Sequence, residues 1–261
     1  MSQKLFQLKS YFDYWLDAVD EHSLHSPFLF NFYRNVVKQR SPIEVDALCS
    51  IRQKLLKDNR TIKVADLGAG STHMTNSDRR ISDIARFTSS SHKFSTLYSR
   101  IIRYHKFKDV IELGTSVGIN AVYLAKASDE VQLTTFEGST EIAAVARSLF
   151  EENGARNIKL VEGNIDHTLE HYLETIARLD FALIDANHRY EPTVHYLQLL
   201  TKRIHADSII AIDDIHSSPA MERAWHTIQD HPLVQTTADL YRCGLVFFNP
   251  SLTRQNVVLQ F

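Results

Sequence analysis

The chain is predicted to be an α/β protein. It should have a mainly parallel sheet with helices between its strands, an antiparallel hairpin at the C-terminal end, and a largely helical segment in front. Three observations carry that prediction. From Val110 onward, short apolar runs alternate with amphipathic helical patterns, as a parallel sheet with crossover helices requires. Two of the predicted strands end near an acid with a glycine within two residues, in Glu112-Leu113-Gly114 and Glu137-Gly138. The last two apolar runs, near 233–239 and 243–248, are joined by a link too short for a crossover, so they should pair antiparallel.

Residues 1–108 read as a helical extension. Apolar positions cluster in Tyr11-Phe12-Asp13-Tyr14-Trp15-Leu16 and in Phe28-Leu29-Phe30-Asn31-Phe32-Tyr33, and Pro27 stands at a helix start, where its missing N–H costs nothing. A second glycine turn, Val64-Ala65-Asp66-Leu67-Gly68-Ala69-Gly70-Ser71, is followed by the polar run Thr72–Arg80, with no apolar stripe and no acid-tipped strand. It is assigned to a small hairpin near 62–71, a lid of the extension.

The domain over 109–261 then runs in order. Val110–Leu113 is the first strand and Val131–Phe136 the second. Ile142, Val145, Ala146, Leu149 and Phe150 line one face of a helix that Asn153-Gly154 should stop. Ile158–Val161 is the third strand, and Leu169, Tyr172, Leu173 and Ile176 line the next helix. Phe181–Ile184 is the fourth strand, ending at Asp185. A helix follows from Glu191 to Ile204, and Ser208–Ile212 is the fifth strand, ending at Asp213-Asp214. Ser218-Pro219 should cap a helix bearing Met221, Ala224, Trp225 and Ile228.

Composition bounds the reading. At 261 residues, 44% hydrophobic and 23% charged, the chain can bury a full core. A formal charge of −2 provides no overall field for nucleic acid. Locally, residues 79–109 carry eight basic side chains, Arg79 to Lys108, against Asp83 and Asp109. That run reads as a solvated helical face, with an anionic acceptor as the sharper alternative. Cys49 and Cys243, the only cysteines, argue against a disulfide framework. Met1–Phe6 shows no leader pattern, and no apolar run approaches the ~20 residues of a membrane span. A reducing, cytoplasmic compartment is the expectation.

Chemistry concentrates at the predicted strand ends. The run Glu112 to Gly118 lacks G-x-G-x-x-G, so it is not the dinucleotide fingerprint. Glycines at 114 and 118 let the backbone turn sharply and lie against a ligand. Glu112 could accept a hydrogen bond from a ligand ammonium. Glu137, 23 positions past Gly114, is placed where a ribose diol would be held, since the comparable acid of dinucleotide folds lies about twenty residues on. The carboxylates of Asp185, Asp213 and Asp214, on strand ends only ~5 Å apart if those strands are neighbours, would repel unless protonated or bridged by a cation. Helix capping is their plainer role. Oxygen ligands alone favour a hard ion such as Mg²⁺. His188, three residues past Asp185, is of a residue type suited to accept a hydroxyl proton near neutral pH.

The E-x-G-x-x-x-G run and the five strand–helix units with a terminal hairpin resemble the class I S-adenosylmethionine-dependent methyltransferases, with their Rossmann-like sheet. Asp185, His188 and Asp213-Asp214, with Glu112 and Glu137, look like the metal-dependent O-methyltransferases over roughly residues 108–250. The catechol type has Asp and Asp-Asn as Mg²⁺ ligands, with a lysine three positions after the first Asp. The macrolide-sugar type has histidine there and an acidic pair, and this chain matches it better. His22–Phe28, Asp66–Ser71 and Asp213-Asp214-Ile215-His216 are similar to a branch known only as class I methyltransferases, which implies no acceptor.

The resemblance implies S-adenosylmethionine bound by Glu112, Gly114, Thr115, Ser116, Gly118, Asn120, Glu137, Gly138, Gly163, Asn164 and Asp185. It implies Mg²⁺ or another divalent cation on Asp185, Asp213 and Asp214, and catalysis by His188 with Asp185. The expected partner is a small hydroxylated acceptor, with no nucleic acid and no membrane. The sequence itself is silent on oligomeric state; the resemblance leaves a homodimer open, since many relatives pair. Two alternatives stand beside it: a non-catalytic protein that senses the cofactor, and an RNA methyltransferase using the 79–109 basic run. The second lacks an Asn-Pro-Pro-Tyr-like motif.

Overall fold

The computed structural model describes residues 3–39, 45–64, 78–87 and 90–261. In chain order the first elements are α1 (Gln3–Asp17), α2 (Pro27–Phe32), α3 (Val45–Leu56), β1 (Thr61–Lys63), β2 (Asp78–Arg80), α4 (Ile81–Phe87) and α5 (His92–His105). Then come β3 (Asp109–Leu113), α6 (Ile119–Ala125), β4 (Gln132–Glu137), α7 (Thr140–Glu152), β5 (Ile158–Glu162) and α8 (Ile165–Thr175). The rest are β6 (Leu179–Ile184), α9 (Tyr190–Leu200), β7 (Ile204–Asp213), α10 (Pro219–Gln229), β8 (Thr236–Asp239), β9 (Cys243–Phe247) and β10 (Gln255–Val258).

Local chemistry sets several of these boundaries. Ser26 Oγ accepts the Leu29 N–H and Pro27 opens α2. Ser218 does the same for Met221, with Pro219 at the first turn of α10. Asn153 closes α7, and Gly154 follows at φ 62°. Each cap satisfies backbone groups that a helix end leaves without partners.

Contacts group the chain into two compact units, residues 40–172 and residues 1–39 with 173–261. The helical segment before β3 is therefore shared between them. In the first unit β3, β4 and β5 run parallel in register, Leu113 beside Phe136 and Glu137 beside Glu162. In the second, β6 and β7 are parallel, β7 and β8 each pair antiparallel with β9, and β10 is parallel to β8. The sheet strands are thus mostly parallel, with antiparallel strands near the C-terminus, as predicted. Every residue of β6 is buried, which explains its unbroken apolar run. The N-terminal segment is tied to the residues just after β10 by Tyr14 Oη donating to Leu259 O at 2.8 Å and Tyr33 Oη donating to Gln260 O at 2.9 Å. Among the described residues, no helix is long and apolar enough to cross a membrane.

Three local differences from the expectation have physical reasons. The fifth strand begins at Ile204, not Ser208, and α9 ends at Leu200. Leu179 pairs with Ile204 but Phe181 pairs with Ile209, so β7 carries extra residues against β6. Ser208 Oγ holds this bulge, donating to Leu179 O and accepting from His205 N. Secondly, β10, unforeseen, gains its order from pairing with β8 rather than from its own sequence, Gln-Asn-Val-Val. Thirdly, the small hairpin pairs Thr61–Lys63 with Asp78–Arg80, so its second strand lies beyond residue 71. The glycine turn Asp66–Ser71 itself lies outside the described residues.

Candidate active site

The first candidate edge lies at the carboxyl ends of β3, β4 and β5, where open parallel sheets bind ligands. Both Gly114 N and Thr115 N donate to Phe136 O, at 3.1 and 2.9 Å, so the turn after β3 is tied to β4. Three residues of this turn take positive φ: Gly114 at 101°, Ser116 at 49° and Gly118 at 86°. A Cβ on Gly118 would come within 2.7 Å of the Phe150 ring on α7, so this glycine serves helix packing as well as the turn.

Two hydrogen-bonded paths cross this edge. Thr135 Oγ1 donates to Glu112 Oε2 at 2.5 Å, leaving Thr115 Oγ1 to donate to Thr135 at 2.6 Å. Glu112 is therefore fully buried with a hydroxyl donor beside it. The Glu137 carboxylate accepts Ser116 N and Ser139 N, each at 2.9 Å. Gly163 N donates to Glu137 O. Asn164 starts α8: its Oδ1 accepts Asp166 N, and its carbonyl accepts His167 N and Thr168 N. Asn120 is buried in the first turn of α6, where its amide donates to Ser90 Oγ and its Oδ1 accepts from Ser95. Of the basic run, Lys108 pairs with Glu130 at 2.8 Å and Arg103 Nε donates to Ala127 O.

The second candidate edge lies at the ends of β6 and β7. Asp185 follows β6, Asp213 ends β7 and Asp214 comes next at φ 55°. Asn187 and His188 also take positive φ, 62° and 25°. Two consecutive non-glycine residues in that region mark a constrained loop. Asn187 Nδ2 donates to Tyr196 Oη and His188 N to Ala186 O, which hold it. His188 Nε2 then lies 3.4 Å from Asp185 Oδ1.

Arg242, which sequence reasoning missed, completes the cluster. Its Nε is 2.9 Å from Asp214 Oδ1 and its Nη2 3.9 Å from Asp213 Oδ2. Its position follows from the antiparallel register that sets Asp213 beside Cys243. The Asp213 side chain is only 1% exposed. Burial pushes its carboxyl well above the usual range, as do the charges of Asp185 and Asp214, against an opposing pull from Arg242 and His188. At His188, burial disfavours the charged ring, but its hydrogen bond to Asp185 and the fields of Asp214, Asp185 and Asp213 outweigh it and raise the imidazole to about 9. Near neutral pH that ring holds its proton, the opposite of the state in which it could accept one.

Nearby, the His216 ring bridges Asp239 at 2.7 Å and Glu222 at 3.2 Å, stacked on Tyr241. The run Asp213-Asp214-Ile215-His216 thus joins the acidic edge to a buried brace.

A mostly parallel sheet, a glycine turn after one strand with an acid at the end of the next, and antiparallel strands near the C-terminus define the class I methyltransferase fold. Residues 111–215, less than half of the chain, match the family profile described as a methyltransferase domain. Solved structures share the fold. One is the Podospora anserina methyltransferase PaMTH1 with S-adenosylhomocysteine bound, at 16% identity and TM-score 0.56, covering 81% of this chain and 99% of that one. Another is an O-methyltransferase from Bacillus cereus in complex with S-adenosylhomocysteine, at 14% and 0.56, covering 84% and 97%. A third is the O-methyltransferase TomG from Streptomyces achromogenes, in complex with S-adenosylmethionine and involved in tomaymycin synthesis, at 13% and 0.56, covering 84% and 95%. No curated protein sequence matches the chain.

The donor set of the first edge suits the cofactor: a carboxylate at the β4 tip for hydroxyls, a buried carboxylate on β3, and a turn without side chains at 114 and 118. The second edge does not suit the expected metal at Asp185, Asp213 and Asp214. Among the described residues, no three His, Cys, Asp or Glu side chains are grouped to hold an ion, and a guanidinium already lies against Asp214.

Proposed function

We propose that this methyltransferase transfers its methyl group to a hydroxyl oxygen of a small acceptor. The observation that carries the reading is the Glu137 carboxylate, fixed by Ser116 N and Ser139 N beside the glycine turn. S-adenosylmethionine, when bound, supplies a methyl group on a sulfonium, so the protein's task is alignment and proton removal. Glu112 would hold the methionine end, with the turn Gly114-Thr115-Ser116 to Gly118 and Asn120 shaping its pocket. Glu137 and Gly138 would receive the ribose hydroxyls, and Gly163 and Asn164 the adenine. Asp185 would orient His188, and His188 would take the acceptor proton only at alkaline pH, where its raised pKa leaves the ring neutral. No step runs through a metal.

In this reading residues 109–261 form the catalytic domain, 1–108 its extension, and the protein works in the cytoplasm without nucleic acid. Two copies would pair through the outward row Leu5, Leu8, Phe12 and Trp15 of α1. These residues are exposed at coiled-coil spacing and flanked on one side by Lys9 and Asp13, which an antiparallel partner would meet with opposite charge. Light scattering on the eluted protein tests the pairing. Calorimetry with S-adenosylhomocysteine tests the main reading: no binding removes it. Tritium transfer from labelled S-adenosylmethionine to hydroxylated acceptors, lost on blocking the hydroxyl, tests the oxygen.

A further inference from the structure

We propose that Arg242 is the built-in counter-cation of the Asp213–Asp214 pair, and that this acidic edge binds no divalent cation. Three features of the chain carry this. The guanidinium lies 2.9 Å from Asp214 and 3.9 Å from Asp213, so it faces two of the three carboxylates expected to hold an ion. Its backbone is pinned on both sides: Arg242 N donates to Leu240 O at 2.8 Å and Arg242 O accepts Ile215 N at 3.3 Å. The preceding residue, Tyr241, takes φ 67° and donates its N–H to Asp239 Oδ1 at 2.7 Å, fixing the turn that delivers Arg242 to the strand ends.

The geometry also opposes an ion directly. Mg²⁺ and Mn²⁺ need small oxygen ligands in a near-octahedral shell. Asp213 is almost wholly buried, and no grouped set of three ligands exists among the described residues. Arginine keeps its charge at every working pH, so this neutralisation is permanent where a bound ion's would depend on concentration. The acceptor hydroxyl would then be activated by side chains alone.

The inference rests on reading this edge as the acceptor side of the methyltransferase. The two fail differently: no S-adenosylhomocysteine binding defeats the reading, and cation binding at the edge defeats the inference. The test is Mn²⁺ titration of the full chain followed by electron paramagnetic resonance of the free ion, with the Asp213→Asn/Asp214→Asn double variant as background. The wild-type protein should bind no Mn²⁺ above background at millimolar ion. Arg242→Ala should gain binding above that background once the opposing charge is gone, and Arg242→Lys should not. Wild-type binding above background overturns the proposal, and so does a folded Arg242→Ala that gains none. If Arg242→Ala fails to fold, Arg242→Gln takes its place, and the wild-type titration stands alone as a decisive result.

Discussion

The carboxylate of Glu137 accepts the backbone N–H of Ser116 at 2.9 Å, so the acid that ends β4 holds the glycine turn that follows β3. Ser116 sits at φ 49°, a conformation it would leave readily without such a partner. Replacing Glu137 by Ala should therefore loosen the turn and remove the expected ribose acceptor together. A lost hydrogen bond to a charged group is worth about 1.5–3 kcal/mol, or about ten- to a hundredfold in Kd. Calorimetry with S-adenosylhomocysteine measures this, and an unchanged Kd would take Glu137 out of the cofactor site.

A second prediction concerns Thr135, whose hydroxyl donates to buried Glu112. Thr135→Val keeps the shape and strips the donor, leaving a buried carboxylate one partner short. Unfolding in urea should show a loss of about 1–3 kcal/mol, with most of it recovered in Thr135→Ser. Equal stability of all three proteins would contradict the hydroxyl relay.

Gly118 combines φ 86° with a Cβ position 2.7 Å from the Phe150 ring. Gly118→Ala should destabilise by more than about 1 kcal/mol, since both backbone and packing oppose it. Pairing it with Phe150→Leu should relieve the steric part only. The coupling in that double-mutant cycle separates the two contributions.

The His216 pKa is raised. Burial works against the charged ring, and the partners Asp239 and Glu222 prevail. A pKa higher in the folded than in the unfolded chain means that the protonated ring stabilises the fold. That contribution is fully present below the ordinary value of 6.5 and is lost as pH rises through the raised one. The stability difference between wild type and His216→Asn should thus be largest in mild acid and shrink toward alkaline pH. Chemical unfolding across that range checks it, and a gap that widens with pH would refute the assignment.

For His188 the expected titration midpoint is about 9. Proton NMR of the ring, assigned with His188→Gln, reads it directly, and Asp185→Asn should lower it. A midpoint near the ordinary 6.5 would mean that the Asp185 contact at 3.4 Å does not persist in solution.

Much of this protein was legible in its sequence, because it depends on residues close together along the chain. Ser26-Pro27 and Ser218-Pro219 cap their helices locally, and Asn153-Gly154 ends α7 locally. The alternation of apolar runs and helical stripes, with an acid at the ends of four strands, already specified a parallel sheet with Glu112, Glu137, Asp185 and Asp213 near its carboxyl edges. Tertiary structure alone decided which charges those acids meet. Arg242 reaches Asp214 only because antiparallel pairing places Cys243 beside Asp213, and β10 exists only because β8 offers it an edge. The bulge that lengthens β7 depends on Ser208 meeting Leu179, 29 residues away. Periodicity and capping are encoded within a few residues, whereas register and charge pairing are settled between segments that meet only once the chain is folded.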